Sequence, residues 1–252
     1  MFDSWLSFPV GILIATTVST VGIGGGILWM PFLLFSIKLR PDIAVVTSLL
    51  IQTAGMGSGT LAFFLQRQID MKLMFFLLFV AIPGVALGAW LNRTLEPEYL
   101  ELILGLVTLA TAMIFVSGNE RYGHEGLLKA QLKAVRRYSW VISSMAIASG
   151  MLSISIGEFL VPLMRSKLTL RMNVAIATSV ATIFGVCLLG AITHLLLGGH
   201  ADLPSLFWAV PGVIIGGQIG PKITNKINDR ILKEIFVFLL TLIGIHLIYN
   251  SY

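Results

Sequence analysis

The sequence predicts an all-α integral membrane protein of two inverted-topology repeats, each a broken or re-entrant first helical element followed by three transmembrane helices. Three observations predict it. The composition is too apolar for water, the apolar residues fall into eight long runs, and the second four runs repeat the first four. Hydrophobic residues make up 56% of the 252 positions and charged residues 12%, where a soluble domain carries about 25% charged residues. Lipid is therefore the natural solvent.

The runs without interior Lys or Arg occupy 8–37, 43–65, 72–92, 99–117, 139–164, 172–197, 205–221 and 231–249. A crossing helix needs roughly 20 apolar residues, so most of these runs suffice for one. The basic stretch 118–137 carries Arg121, Lys129, Lys133, Arg136 and Arg137 and divides the chain. It reads as a cytoplasmic linker between a first repeat, 1–117, and a second, 138–252. The net charge of +5 sits between apolar runs, as in cytoplasmic loops, and gives no reason to expect nucleic acid. Met1-Phe2-Asp3-Ser4 has no basic n-region, so no cleaved signal peptide is expected.

The repeat is explicit. Residues 26–48 overlie 157–179 at a shift of 131 with 7 identities in 23 positions, among them Gly26/Gly157, Pro31/Pro162, Arg40/Arg171 and Thr47-Ser48/Thr178-Ser179. Gln68-Ile69-Asp70 meets His200-Ala201-Asp202 at 132, and Ile82-Pro83-Gly84 with Gly88 meets Val210-Pro211-Gly212 with Gly216 at 128. Internal repeats mark transporter folds, with the binding site at the repeat interface.

The first run of each half is interrupted. Gly22-Ile23-Gly24-Gly25-Gly26 puts four glycines in five positions, each costing about 0.8–1 kcal/mol in a helix interior relative to Ala. Ser149-Gly150, Ser153, Ser155 and Gly157 suggest a milder break in the second half. If each broken run enters and returns on one side, the loops 66–72, 118–137, 165–171 and 222–233 hold 14 Lys and Arg, against 3 on the other side. If all eight runs cross, the split is 7 to 10. The positive-inside rule selects the first arrangement. It makes the halves inverted and places both termini outside. Irregular backbone at membrane depth must line protein or a water-filled cavity, so both breaks are expected on the internal pathway.

The glycine run followed by Pro31, the stretch Leu39-Arg40-Pro41-Asp42-Ile43-Ala44-Val45-Val46-Thr47-Ser48, its counterpart Asn173-Val174-Ala175-Ile176-Ala177-Thr178-Ser179 and the Pro-Gly pattern of each third run occur together. In that combination the sequence resembles the sulfite exporter TauE/SafE family of membrane permeases over nearly the whole chain. The resemblance implies a secondary transporter in the cytoplasmic membrane that exports sulfite or organosulfonates such as sulfoacetate. The alternatives are another small anion, a metal ion or an intramembrane enzyme. The second half departs from the family pattern, with Ser153-Ile154-Ser155-Ile156-Gly157-Glu158 where a glycine-rich run is usual.

The site candidates follow from anion chemistry. Gly22, Gly24, Gly25 and Gly26, and Gly157 in the repeat, can expose backbone N–H groups at a helix start, where the dipole favours negative charge. Tight helix packing is the other use for such glycines. Thr47, Ser48, Thr178 and Ser179 can donate hydroxyls or bond a neighbouring helix. Gln52 lies one turn further on. Arg40 and Arg171 could draw anions to a mouth or snorkel to the headgroups. Glu158 is the costliest residue, since a charge deep in a membrane helix costs about 2.5–3.5 kcal/mol on insertion scales. It is a proton-coupling candidate or a structural ion pair. His194 is a second proton-relay candidate or a packing residue. Asp70 and Asp202 read as N-caps. Gly84/Gly88 and Gly212/Gly216 read as helix-packing pairs, between the halves or between two copies in a homodimer.

No Gly-x-Ser-x-Gly or His-Glu-x-x-His motif occurs, so no enzyme is expected. Cys187 is the single cysteine, which excludes an intramolecular disulfide and matches no metal-ligand cluster. No cofactor is expected. The expected partners are a small anionic substrate and membrane lipid.

Overall fold

Residues 4–94, 99, 106 and 127–224 are described by the computed structural model. A short turn, Ser4–Leu6, leads into α1 (Ser7–Val21), and α2 (Gly26–Pro31) runs on as a π-helical turn, Phe32–Ser36. Then come α3 (Pro41–Leu65), α4 (Met71–Thr94), α5 (Leu132–Arg136), α6 (Ser139–Leu152), α7 (Gly157–Ser166), α8 (Met172–Leu196) and α9 (Leu203–Ile223). Among the described residues, five segments, Ser4–Val21, α3, α4, α8 and α9, are long and apolar enough to cross a membrane. The runs expected at 99–117 and 231–249 and the linker residues 118–126 lie outside the described residues, apart from Tyr99 and Leu106.

Several backbone features of the first half recur in the second. α3 and α8 are both 25 residues long, and both follow an extended Arg, Arg40 and Arg171. Pro41 opens α3 at a position where a missing N–H costs nothing. Lys38 and Thr169 share a left-handed φ of 60° and 51°, and they too are 131 apart. α1 ends at Gly22 (φ 77°), whose N–H bonds the Val18 carbonyl. α6 ends at Ser153 (φ 59°), whose N–H bonds the Ser149 carbonyl. Each break is therefore four residues long, 22–25 and 153–156. The second break is not milder than the first. Serine accepts the left-handed cap that glycine takes more cheaply.

The Pro-Gly match at a shift of 128 is not the structural register. Gly84 packs on the Ser143 carbonyl and Ala146, and Gly216 on the Ile12 carbonyl and Ala15. Gly88 meets Ile147, and Gly220 meets Thr16. The true mates are Gly84/Gly216 and Gly88/Gly220, at 132, the same shift as Asp70/Asp202. A one-turn slip preserves the facing side of a helix, which is why the sequence match arose. These glycines join the halves: α1 packs along α9 and α4 along α6. Where lipid tails are as apolar as the helices, close backbone approach drives such packing.

Hydrogen bonds place the loops at two ends. Ala130 N–H donates to Asp70 Oδ2 at 2.9 Å, and Leu127 and Thr169 pair with Arg171 closing the bridge. Loops 66–70, 127–131 and 167–171 thus share one end, with Arg67, Lys72, Lys129, Lys167 and Arg171. At the other end Arg93 lies beside Gly198, and Asp202 N–H donates to Thr47 near the start of α3. α9 starts at this second end, and α1 runs parallel to it, Phe8 against Gly212 and Thr16 against Gly220. α1 therefore points towards the linker end, and the chain returns through α2 to Arg40. Segment 4–21 is long enough to cross, yet Gly22 meets Ser179, eight residues into α8 and about 12 Å of helix short of that end.

Candidate functional site

The two breaks meet. A Cβ on Gly24 would fall on the Ser155 side chain, and one on Gly26 on the Ser153 carbonyl. Gly24 and Ser155 are repeat mates, so each break touches its own counterpart. The surrounding contacts are exchanged between halves. Ser179 Oγ donates to the Gly22 carbonyl at 2.6 Å, and Ser48 Oγ accepts from Ser153 Oγ at 3.0 Å. Gly157 lies beside the Gly22 carbonyl, as Gly26 lies beside the Ser153 carbonyl. All of these residues except Ser153 and Ser155 were singled out from the sequence. Those two stand in the sequence as part of the second break and as a departure from a glycine pattern, not as site candidates.

The threonines serve a different purpose from the serines. Thr47 Oγ1 accepts from Asp202 N–H at 2.9 Å and donates to the Ile43 carbonyl. Thr178 Oγ1 accepts from Asp70 N–H at 3.0 Å. Asp70 and Asp202 cap their helices as expected, accepting from Leu73 and Ser205. Both threonines are fully buried and tie the ends of the halves together.

Polar side chains satisfy the carbonyls that α6 exposes where it stops. His194 Nε2 bonds the Gly150 carbonyl at 2.7 Å, which requires the proton on Nε2. Asn92 donates to Met151 at 2.8 Å, and Gln52 donates to the Ser153 carbonyl at 3.1 Å and its hydroxyl at 2.8 Å. Gln52 Oε1 is buried without a partner. Its repeat mate is Ile183, which packs against Gly157. The second break is thus lined by polar side chains and the first by bare backbone. Asn92 was missed: an Asn near a helix end carries no signal until its partner carbonyl is known.

Arg40 and Arg171 do not reach the breaks. Arg40 is exposed and pairs with Asp42 at 3.2 Å, and Arg171 is exposed at the linker end. Glu158 does reach them. It lies in the first turn of α7, is 0% exposed, and neither carboxyl oxygen has a hydrogen-bond partner. Gly157, the residue before it, lies against the Gly22 carbonyl and Ser155. Cys187 is buried on α8, the helix against which α7 packs. His194 is seven residues beyond Cys187, about 10 Å along the helix. The N–H groups of Gly24, Gly25 and Gly26 have no acceptor within hydrogen-bonding geometry among the described residues. No cluster of His, Cys, Asp or Glu that could hold a metal occurs among the described residues.

Paired helix breaks at membrane depth, lined by amides and hydroxyls, belong to transporters. A model of the family described as "Sulfite exporter TauE/SafE" matches residues 7–247. The chain belongs to this family. Like other TauE/SafE proteins it is a multi-pass membrane transporter, not an enzyme. It is 28% identical to the probable membrane transporter protein YunE of Bacillus subtilis (strain 168), over 96% of each chain. It is 23% identical to a probable membrane transporter protein of Xylella fastidiosa (strain 9a5c), over 96% of this chain and 94% of the relative. YjnA of Bacillus subtilis (strain 168), another probable membrane transporter protein, is 23% identical over 90% and 94%. No solved structure gives a significant match.

Proposed function

We propose that the two breaks form one anion site and that the protein exports sulfite or a small organosulfonate across the cytoplasmic membrane by alternating access. The observation that carries this reading is the abutment of Gly24 on Ser155, with the amides at Gly24–Gly26 unpaired among the described residues on one side and the start of α7 on the other. Oriented N–H groups bind an anion without a fixed positive charge. Ser48, Ser179 and Gln52 supply further donors around the same point. The breaks are packed together, so an anion enters as they separate, and this packing reads as an occluded state.

The exchanged contacts support an inverted-topology repeat. The start of α3 lies against the segment after α8, and the start of α8 against the segment after α3. Helices so paired run antiparallel, and a twofold axis relating them lies in the membrane plane. The linker end carries most of the cations, which supports its placement in the cytoplasm. Anion export then gains from the inside-negative potential, about 2.3 kcal/mol per charge per 100 mV.

The test is flux from proteoliposomes against sulfite, sulfonates, carboxylates and divalent metals. Saturable transport of sulfite or a sulfonate, with mutual competition, is the expected result. Transport of metals alone, or of none of the anions, removes the proposal.

A further inference from the structure

We propose that Glu158 is a tethered competitor of the transported anion, its carboxylate, when ionised, competing for the break amides that the substrate must take. The proposal rests on the anion-site reading above and deepens it.

A carboxylate and a sulfonate ask for the same thing, N–H donors converging on oxygen. Glu158 is fully buried, and both its oxygens lack a hydrogen-bond partner. A structural glutamate at this depth would pair with a cation, and none among the described residues pairs with Glu158. It follows Gly157, which lies against the Gly22 carbonyl and Ser155, so the first turn of α7 carries it at the meeting of the two breaks. Gly24 is the residue at the centre of the meeting breaks. The repeat mate of Glu158 is Ile27, so the competitor belongs to one break only.

Among the described residues, α8, which packs on α7, contributes the buried Cys187 and, about two turns further, His194. The break 22–25 contributes no ionisable side chain, α3 contributes the neutral Gln52, and Arg165 on α7 is two turns away. Among the described residues no cation pairs with Glu158 to compensate a second anion. A substrate anion binds either when Glu158 carries a proton or when its side chain swings away. Protonation removes the repulsion and one acceptor claim on the amides together. Binding should strengthen as pH falls, and each bound anion should bring about one proton with it.

The probe is methanesulfonate, whose charge is constant across the working range, titrated calorimetrically into the full-length protein in nanodiscs. In the parent protein the affinity should rise by up to tenfold per unit fall in pH. Repeating the titration in buffers of different ionisation heat should reveal uptake of about one proton per anion. Glu158→Gln should bind at least as tightly as the parent at its most acidic, with a flat pH profile. Glu158→Asp should retain the slope. No proton uptake in the parent overturns the proposal whatever the variants do. So does a Glu158→Gln protein that keeps the parent's slope, or that binds more weakly at every pH while its melting temperature is unchanged. A parent that binds none of sulfite, methanesulfonate or sulfoacetate overturns the anion site itself.

Discussion

Thr47 accepts the amide hydrogen of Asp202 at 2.9 Å, and its repeat mate Thr178 accepts that of Asp70 at 3.0 Å. The contact is reciprocal, as across a twofold interface. One tie closes each end of the molecule. Thr47→Val leaves the Asp202 N–H unpaired at the Arg40 end, and Thr178→Val does the same to Asp70 at the linker end. Leaving a buried donor unsatisfied costs about 1–3 kcal/mol. Each variant should open its own end, which side-specific thiol labelling of nearby engineered cysteines can read. Equal labelling from both sides in both variants would show the ties to be mere staples.

Gly24→Val should abolish transport in a folded protein, because its side chain must displace Ser155. Gly26→Ala should do nearly as much, since the Ser153 carbonyl it meets is backbone and cannot turn aside. Flux, with size-exclusion profiles as the control for folding, measures both. Normal flux from either would remove the breaks from the pathway.

His194→Ala should lower stability by about 1–3 kcal/mol by stranding the Gly150 carbonyl. His194→Gln, which can still donate, should recover most of that and transport with the parent's pH profile. A pH profile altered by Gln would return His194 to the proton path.

Topology follows from the loop partition. Single cysteines near residues 2, 128 and 251, in a background lacking Cys187, should label with an impermeant reagent at 2 and 251 and stay protected at 128 in intact cells. Labelling at 128 from outside would reverse the orientation.

Much of this was legible before any coordinates. The breaks declared themselves through Gly22–Gly26 and the repeat of Arg40-to-Ser48 in Arg171-to-Ser179, because helix breakers and caps act locally. The division of labour within Thr47-Ser48 and Thr178-Ser179 was not legible. Adjacent residues on a helix point about 100° apart, so only the partners reveal that Ser faces the break and Thr the far loop. The register of Gly84 failed for a related reason. A glycine pattern repeats every four residues, and a slip of four looks the same in sequence. Asn92 and Ser155 depend on carbonyls and a neighbour from the other half, which no single segment encodes.

The pairing of α1 with α9 and of α4 with α6 also bears on how the protein is made. Each early helix finds its partner in the half synthesised later. At about 5–20 residues per second, α1 spends roughly 10–40 s in the bilayer before Gly212–Gly220 exist to receive it. Throughout that interval its polar residues Ser7, Thr16, Ser19 and Thr20 have no helix from the second half beside them. The insertion machinery, or a chaperone within the membrane, must hold the first half until its complement arrives. A ribosome stalled between the halves should therefore leave a fragment marked for proteolysis, not a stable half-transporter.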